Sequence, residues 1–280
     1  MPKTKFIEMH NRRIAYQDWG SDNSQHQTVC VHGLTRNKHD FDYLAHSLSD
    51  ISRVICIDIA GRGESDWLPN PDKYNYQTYL SDIKAIFAEL KLSNTYWVGT
   101  SMGGIIGMLL CADSPNLIKK LILNDVGPFI PKSSLLRIKD YVGDPVQFKS
   151  IAESTAYFRK TLSGFGDLSA EQWDQLAQNS IKPSEDEKFA LHYDPGIARA
   201  FQGELEDVDL WNVWDVIKAE VMTIRGENSD LLLEKTLTEM GNRGPKSKTA
   251  VIRNAGHAPA LLSDEEINLI KEFLFPDASR

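Results

Sequence analysis

Short runs of hydrophobic residues alternate along the chain with stretches in which hydrophobic positions recur at helical spacing. The runs that are rich in β-branched residues predict strands, and the periodic stretches predict amphipathic helices. After a starting hairpin at 6–9 and 12–18, strands are predicted at 27–31, 53–58, 96–98, 120–126, 221–225 and 247–253. Helices are predicted between most of them. This alternation favours an α/β fold with a mostly parallel central sheet and helices on both faces.

The alternation is interrupted after the strand at 120–126. Gly127 and Pro128 end that strand, and the residues that follow show helical rather than strand periodicity. Within them, Ser169 and Gln172 have the spacing of a capping box at the start of a helix. We therefore predict a core domain made of residues 1–127 and 214–280, with a helical cap inserted at residues 128–213.

Composition narrows the class of protein. The chain has 280 residues, of which 41% are hydrophobic, and a net charge of −8, so a nucleic-acid-binding surface is not expected. The N-terminus lacks a hydrophobic signal core, and no hydrophobic run is long enough to span a bilayer. A cytoplasmic protein without a membrane partner is therefore expected. The cysteines at 30, 56 and 111 fall in predicted strands or helices, which favours buried core residues over a disulfide or metal set.

The main candidate for chemistry is the stretch Gly99-Thr100-Ser101-Met102-Gly103. It lies between the strand at 96–98 and a hydrophobic run at 105–112 that predicts a buried helix. A G-x-S-x-G pattern between strand and helix is typical of a nucleophile elbow, in which the serine hydroxyl projects above the sheet. The alternative interpretation is a tight turn whose glycines only let the strand and helix pack closely.

A nucleophilic serine needs a general base, and the base needs an acid that orients it. His257 follows the last predicted strand in a glycine-containing loop that can bring the imidazole over the elbow. For the acid, the loop after the strand at 221–225 offers Glu227 and Asp230. We favour Asp230 because it immediately precedes a hydrophobic helix start, although an aspartate there can also be a helix N-cap.

Acyl transfer also needs donors for the carbonyl oxygen that becomes negatively charged. The backbone amide of Met102 follows the candidate nucleophile, and the loop His32-Gly33-Leu34 follows an earlier strand and can present the amide of Leu34. In this interpretation His32 and Gly33 support the loop. Taken alone, His32-Gly33 is also compatible with a simple turn.

Together these motifs resemble the α/β-hydrolase superfamily, and within it the cap-bearing bacterial carboxylesterases, enol-lactonases and relatives of epoxide hydrolases and haloalkane dehalogenases. The motifs that carry the resemblance are His32-Gly33-Leu34, the loop at 58–65, the elbow around Ser101, Asp230 and the loop of His257. The resemblance implies a triad of Ser101, Asp230 and His257, with Leu34 and Met102 as oxyanion donors. One departure is that the interval from Gly226 to Asp230 is one residue longer than in many relatives.

The serine narrows the reaction, because a serine that attacked an epoxide or a haloalkane would be left as an inert ether. The predicted function is hydrolysis of a small or medium-sized carboxylic ester through an acyl-enzyme. Most of the aromatic residues between Phe129 and Trp211 are expected to pack in the core of the cap. Those on its underside are expected to line a hydrophobic pocket above Ser101 that favours an uncharged ester. No metal or organic cofactor is expected. A lactonase, a carbon–carbon bond hydrolase and a slow ligand-binding receptor remain alternatives, and the oligomeric state stays open.

Overall fold

The fold was analysed in a computed structural model, which describes residues 2–277. The first part of the chain alternates strands and helices, starting with a hairpin. Its elements are β1 (Lys5–Met9), β2 (Arg12–Trp19), β3 (Gln27–Val31), α1 (Asp42–Leu48), β4 (Arg53–Ile57), α2 (Tyr76–Glu89), β5 (Thr95–Thr100), α3 (Met102–Asp113) and β6 (Ile118–Asn124).

The chain then leaves the sheet and returns to it only near residue 220. The intervening segment contains helices and short strands, which pair in two small antiparallel sheets. Its elements are β7 (Phe129–Ile130), α4 (Lys132–Lys139), β8 (Gln147–Phe148), α5 (Ile151–Thr161), α6 (Ala170–Ser180), β9 (Ile181–Pro183), β10 (Phe189–Leu191), β11 (Val208–Asp209) and α7 (Trp211–Trp214). The capping box expected at Ser169 and Gln172 is present at the start of α6. The short strands were not expected from the helical periodicity.

The last part of the chain completes the main sheet. Its elements are β12 (Glu220–Gly226), α8 (Glu234–Asn242), β13 (Lys248–Ile252) and α9 (Asp264–Leu274). The strand order is β1-β2-β4-β3-β5-β6-β12-β13. Strands β1 and β2 are antiparallel to their neighbours, whereas β4, β3, β5, β6, β12 and β13 run parallel. The prediction of a mostly parallel α/β sheet is confirmed.

Hydrophobic residues are buried on both faces of this sheet. On one face, α1 and α9 cover the sheet through residues such as Leu44 and Ile270. On the other face, α2, α3 and α8 pack through residues such as Ile83, Ile106 and Leu237. Two covered faces explain why the parallel strands are nearly continuous hydrophobic runs, since neither side of such a strand meets water.

The parallel strands end at a common edge of the sheet, where a ligand site is usually found in open α/β sheets. β5 pairs with β6, and β6 pairs with β12, so the loops after these three strands are neighbours. In the described part of the chain, none of the helices combines the length and the hydrophobicity needed to cross a membrane.

Candidate active site

Ser101 lies in the sharp turn between β5 and α3. Its backbone has φ of 50° and ψ of −112°, a conformation that L-residues rarely adopt. Its amide donates to the carbonyl oxygen of Asn124 at the end of β6, with N···O of 2.9 Å. A Cβ atom at Gly103 would overlap the carbonyl oxygen of Val31, and one at Gly99 would overlap the backbone of Gly103. Only glycine therefore lets α3 approach the sheet closely enough to form this turn.

His257 connects this serine to a carboxylate. Its Nε2 lies 3.0 Å from the Ser101 Oγ, and its Nδ1 lies 2.7 Å from Asp125 Oδ2. An ionised carboxylate can only accept, so Nδ1 carries the proton and the Nε2 lone pair faces the serine hydroxyl. The histidine side chain is 13% exposed, and that of Asp125 is fully buried. The three side chains thus form a continuous hydrogen-bonded series at the edge of the sheet.

Asp125 is held by further donors from the loop after β12. Ser229 Oγ donates to Asp125 Oδ2 at 2.6 Å, and the Gly226 amide donates to Oδ1 at 2.7 Å. The hydroxyl of Ser229 in turn accepts from the amides of Leu231 and Leu232. A buried carboxylate is costly unless it is hydrogen-bonded. With His257 as a third donor, both oxygens of Asp125 have partners, and the carboxylate is fixed in one orientation.

The sequence-based assignment of Asp230 as the partner of His257 is wrong. The Asp230 side chain is 51% exposed and accepts from Arg137 on α4, with N···O distances of 2.6 and 2.9 Å. The alternative, Glu227, is also exposed, and its carboxylate accepts from the amide of Asn254. The loop after β12 directs Ser229 inward to Asp125, so Asp230, the next residue, points outward to Arg137 on α4.

The signal that could have identified Asp125 is the polar pair Asn124-Asp125 at the carboxyl end of a buried strand. The hydrophobic pattern predicted a strand through residue 126, which hid Asp125 inside it. In the structure β6 ends at Asn124, and Asp125 has φ of 54°. This left-handed conformation is enriched in aspartate and ends the strand. Asp125 therefore lies at the carboxyl end of β6, the strand that pairs with β5 and so lies beside Ser101.

The loop after β3 lies beside the elbow. The amides of Leu34 and Met102 have no hydrogen-bond acceptor within the described part of the protein. Both residues line the same cavity as Ser101. His32 is fully buried, and its Nε2 accepts from the Ile59 amide at 3.1 Å. Its Nδ1 must then carry the proton, which it donates to the carbonyl oxygen of Gly33 at 2.7 Å.

We expect the buried His32 to make folding stability pH-dependent. Burial lowers the pKa of His32 from 6.5 to about 4. Between these values the unfolded chain binds the proton and the folded protein does not, so stability is complete above about pH 6.5 and falls as the pH drops toward 4. At pH 5 the loss from this one group is about 2 kcal/mol.

Urea unfolding at pH 7 and pH 5 tests this expectation in the wild type and in His32→Gln. Glutamine keeps a donor and an acceptor but has no titratable group. The variant is therefore expected to lose about 2 kcal/mol less than the wild type between the two pH values. An equal loss in both proteins would contradict a neutral, buried His32.

A cavity of about 780 Å³ opens above Ser101, between the sheet and the inserted segment. The inserted segment contributes mainly aliphatic side chains, including Ile130, Ile138 and Leu210. Of the aromatic residues in the inserted segment, Phe201 alone lines the cavity in the described residues. Most of the others belong to the hydrophobic core, as expected. The remaining lining aromatics are tyrosines of the core, at 74, 76 and 79. The pocket is therefore hydrophobic, as expected, although the inserted segment lines it mainly with aliphatic rather than aromatic side chains.

This arrangement can activate a hydroxyl group. An imidazole whose other nitrogen is held by a carboxylate can take the serine proton, and unpaired amides nearby can bind a negatively charged oxygen. In the part of the chain that the structure describes, no group of three or more His, Cys, Asp or Glu side chains is arranged to hold a metal ion.

Comparison with known proteins identifies the family of the chain. A family model described as the alpha/beta hydrolase fold matches residues 29–149. A 3-hydroxybutyrate-oligomer hydrolase of Cupriavidus necator is 38% identical over 270 residues, which cover 93% of this chain and 92% of the relative. A hydrolase structure from Rickettsia typhi has a TM-score of 0.92 and is 35% identical. The match covers 98% of this chain and 99% of the Rickettsia chain. An α/β-hydrolase structure from Novosphingobium aromaticivorans has a TM-score of 0.90 and is 31% identical. The match covers 98% of this chain and 99% of the Novosphingobium chain. The chain therefore belongs to the α/β-hydrolase family.

Proposed function

We propose that this chain is a serine carboxylesterase with Ser101 as nucleophile, His257 as general base and Asp125 as the acid that orients the base. The observation that carries the proposal is the hydrogen-bonded series from the Ser101 hydroxyl through His257 to Asp125, at distances of 3.0 and 2.7 Å. This series faces a hydrophobic cavity, which supports a small-molecule ester as the substrate.

In the first half of the reaction, Ser101 Oγ attacks the ester carbonyl carbon while His257 Nε2 accepts the hydroxyl proton. The carbonyl oxygen becomes negatively charged and accepts from the amides of Leu34 and Met102. The C–O bond to the alcohol then breaks, and His257 returns its proton to the departing alkoxide. The products of this half are the free alcohol and an ester of Ser101.

In the second half, water takes the place of the alcohol. His257 removes a proton from the water as it attacks the acyl carbon, and the same two amides bind the oxyanion again. The intermediate collapses, Ser101 Oγ leaves with the proton from His257, and the carboxylic acid is released. Asp125 remains ionised throughout and keeps Nδ1 protonated, so that Nε2 alone handles the transferred proton.

The substrate class follows from the cavity and from one relative. The cavity volume of about 780 Å³ falls within the range of pockets for small organic ligands. The relative from Cupriavidus necator is named for hydrolysis of 3-hydroxybutyrate oligomers. We therefore propose short oligomeric hydroxyacid esters as substrates, with residues 128–213 acting as a cap that excludes long polymers.

The experiment is to incubate the protein with 3-hydroxybutyrate dimer and trimer, and with p-nitrophenyl esters of two to twelve acyl carbons. We expect release of monomer from both oligomers, and the fastest p-nitrophenyl turnover with short acyl chains. Preference for the long acyl chains would contradict the proposed cap and substrate class. Faster turnover of a lactone or of a β-diketone than of any ester would favour one of the alternative hydrolase reactions. Binding without turnover would favour a receptor.

Ser229 is expected to assist the reaction by holding Asp125. Ser229→Ala removes the donor at 2.6 Å from Asp125 Oδ2, and hydrogen bonds to charged groups contribute enough to predict a loss in kcat/KM of about tenfold. Without this donor, the Asp125 carboxylate carries more of its negative charge toward His257 and stabilises the protonated imidazole more than in the wild type. The acid limb of the kcat/KM profile should therefore move to higher pH.

The matched variant is Ser229→Thr, which keeps the hydroxyl and should retain most of the activity and the wild-type pH profile. A tenfold loss in Ser229→Ala without any displacement of the acid limb would point to a general packing defect instead.

A further inference from the structure

Arg62 is a buried cation that the reaction described above does not use. It lies in the loop after β4, is fully buried, and its guanidinium faces the rings of Tyr74 and Tyr79, with 5.5 and 5.2 Å to the ring centroids. Across residues 2–277, no carboxylate oxygen lies within 4.0 Å of its nitrogens. The groups in contact with the guanidinium are therefore neutral, which is unusual because burying a charge without a contacting counter-charge is costly. The buried Asp194 accepts from the hydroxyl of Tyr74, one of the two rings that the guanidinium faces.

The hydrogen bonds of Arg62 reach both residues that would bind the oxyanion. Nε donates to the carbonyl oxygen of Leu34 at 2.9 Å, and Nη2 lies 3.6 Å from the sulfur of Met102. On the other side, Nη1 donates to the carbonyl oxygen of Ala60 and to the hydroxyl of Tyr79, each at 2.9 Å. The guanidinium is therefore held by its own loop and by Tyr79 on α2, and in turn it holds the Leu34 carbonyl and packs against the side chain of Met102.

Arg62 completes the fixation of the Leu34 backbone that His32 begins. His32 Nδ1 holds the carbonyl oxygen of Gly33, and the trans peptide points the Leu34 N–H in the opposite direction. Arg62 Nε holds the next carbonyl oxygen, that of Leu34 itself. Both peptide units around this amide are thereby fixed, so the amide cannot turn away from a charged oxygen.

The position of the charge matters as well as the hydrogen bonds. A full positive charge in a desolvated site acts on a nearby negative charge more strongly than it would in water. Because no carboxylate is in direct contact with Arg62, its charge can act on the oxygen that becomes negative during acyl transfer in the cavity that Arg62 and Ser101 both line.

We propose that Arg62 is a positioning residue for the oxyanion site, which fixes the amide of Leu34, packs against the side chain of Met102 and stabilises the tetrahedral intermediate through its buried charge. The inference rests on the proposed function, because it requires an oxyanion at Ser101. It predicts a loss in kcat that is the same for neutral and anionic esters, since Arg62 acts through the reacting carbonyl and not through a charged group of the substrate.

The test compares Arg62→Met, which removes the charge and the donors, with Arg62→Lys, which keeps the charge. With p-nitrophenyl acetate we expect kcat to fall about 30-fold in Arg62→Met, less than the loss of a whole oxyanion donor, with KM within about threefold. Arg62→Lys should fall between this variant and the wild type. The matched control, Arg243→Met, removes an exposed arginine that pairs with Asp215 outside the cavity, and should keep wild-type rates.

A second measurement separates stabilisation of the intermediate from a general structural defect. Aryl trifluoromethyl ketones add to a nucleophilic serine and form an anionic tetrahedral adduct. From the wild type to Arg62→Lys and Arg62→Met, the Ki of these ketones should rise in proportion to the fall in kcat/KM. The affinity for an unreactive amide analogue should not change. Unchanged kcat in Arg62→Met, or equal weakening of both inhibitors, would overturn the proposal.

Three further outcomes are distinguishable. A loss confined to esters that carry a free carboxylate would overturn the positioning role and assign Arg62 to substrate binding. If Arg62→Met does not fold, Arg62→Lys and Tyr79→Phe, which removes one acceptor of Nη1, must still show the proportional change in Ki. Absence of ester turnover in the wild type would instead be a failure of the proposed function.

Discussion

Replacement of Ser101 by alanine is expected to lower kcat for ester hydrolysis by about 10⁴-fold or more. The change removes the only atom that can form the acyl-enzyme in the proposed reaction, whereas the cavity walls remain. KM should therefore change little. Alanine has the same Cβ atom as serine, so the unusual backbone of the turn, with φ of 50°, is no less accessible to it. The measurement is a long time course with p-nitrophenyl butyrate at high protein concentration.

Covalent labelling gives the same prediction an independent readout. A p-nitrophenyl phosphonate should modify the wild type once, on the peptide that contains Ser101, and should leave Ser101→Ala unmodified. Ser114→Ala, at the end of α3, is the matched control and should be labelled and active like the wild type. Residual activity within tenfold of the wild type in Ser101→Ala would place the nucleophile elsewhere.

Replacement of Asp125 by asparagine is expected to lower kcat by about 10³- to 10⁴-fold. The amide has nearly the shape of the carboxylate, so the buried site should persist. However, an amide NH₂ group facing His257 favours the tautomer with the proton on Nε2, which cannot accept a proton from Ser101. Single-turnover rates with p-nitrophenyl acetate measure this loss directly.

The matched variant is Asp230→Asn, since Asp230 was the acid expected from the sequence. It breaks the exposed ion pair with Arg137. Such pairs contribute little, so kcat should stay within about twofold and the free energy of unfolding within about 1 kcal/mol. The opposite ranking, with Asp230→Asn inactive and Asp125→Asn active, would restore the sequence-based assignment and reject the geometry described above.

Features that depend on neighbouring residues were predictable from the sequence. Strands and helices of the core appear within a few residues of their predicted positions, because hydrophobic periodicity reports the faces that each element buries. The elbow at Ser101 was predictable for a similar reason. Its glycines at 99 and 103 are required by local close packing, and this requirement is visible in five consecutive residues.

The hydrophobic character of the cavity was predictable from the sequence, but the residues that line it were not. Most of the cap aromatics were expected to be core residues, and Phe148 and Phe158 are examples that do pack in the core. Those on the underside were expected to line the pocket, but in the described residues Phe201 alone does so, and the cap's other lining side chains are mainly aliphatic. Hydrophobicity alone does not distinguish a side chain that covers a pocket from one that fills a core. The choice depends on how the inserted helices are placed over the sheet, which local periodicity does not report.

The sequence by itself determined the α/β sheet, the elbow, and the loops that carry Leu34 and His257, because each depends on residues close together along the chain. Only the tertiary structure decided which carboxylate meets His257. β6 and β12 are neighbours in the sheet, so acids at the ends of either strand were available. Asp125 turns inward through its left-handed backbone, Ser229 occupies the space beside it, and Asp230 turns out to Arg137. The direction of a side chain at the end of a strand depends on contacts between residues about 100 or more positions apart in the chain, such as Asp125 with Ser229 and His257.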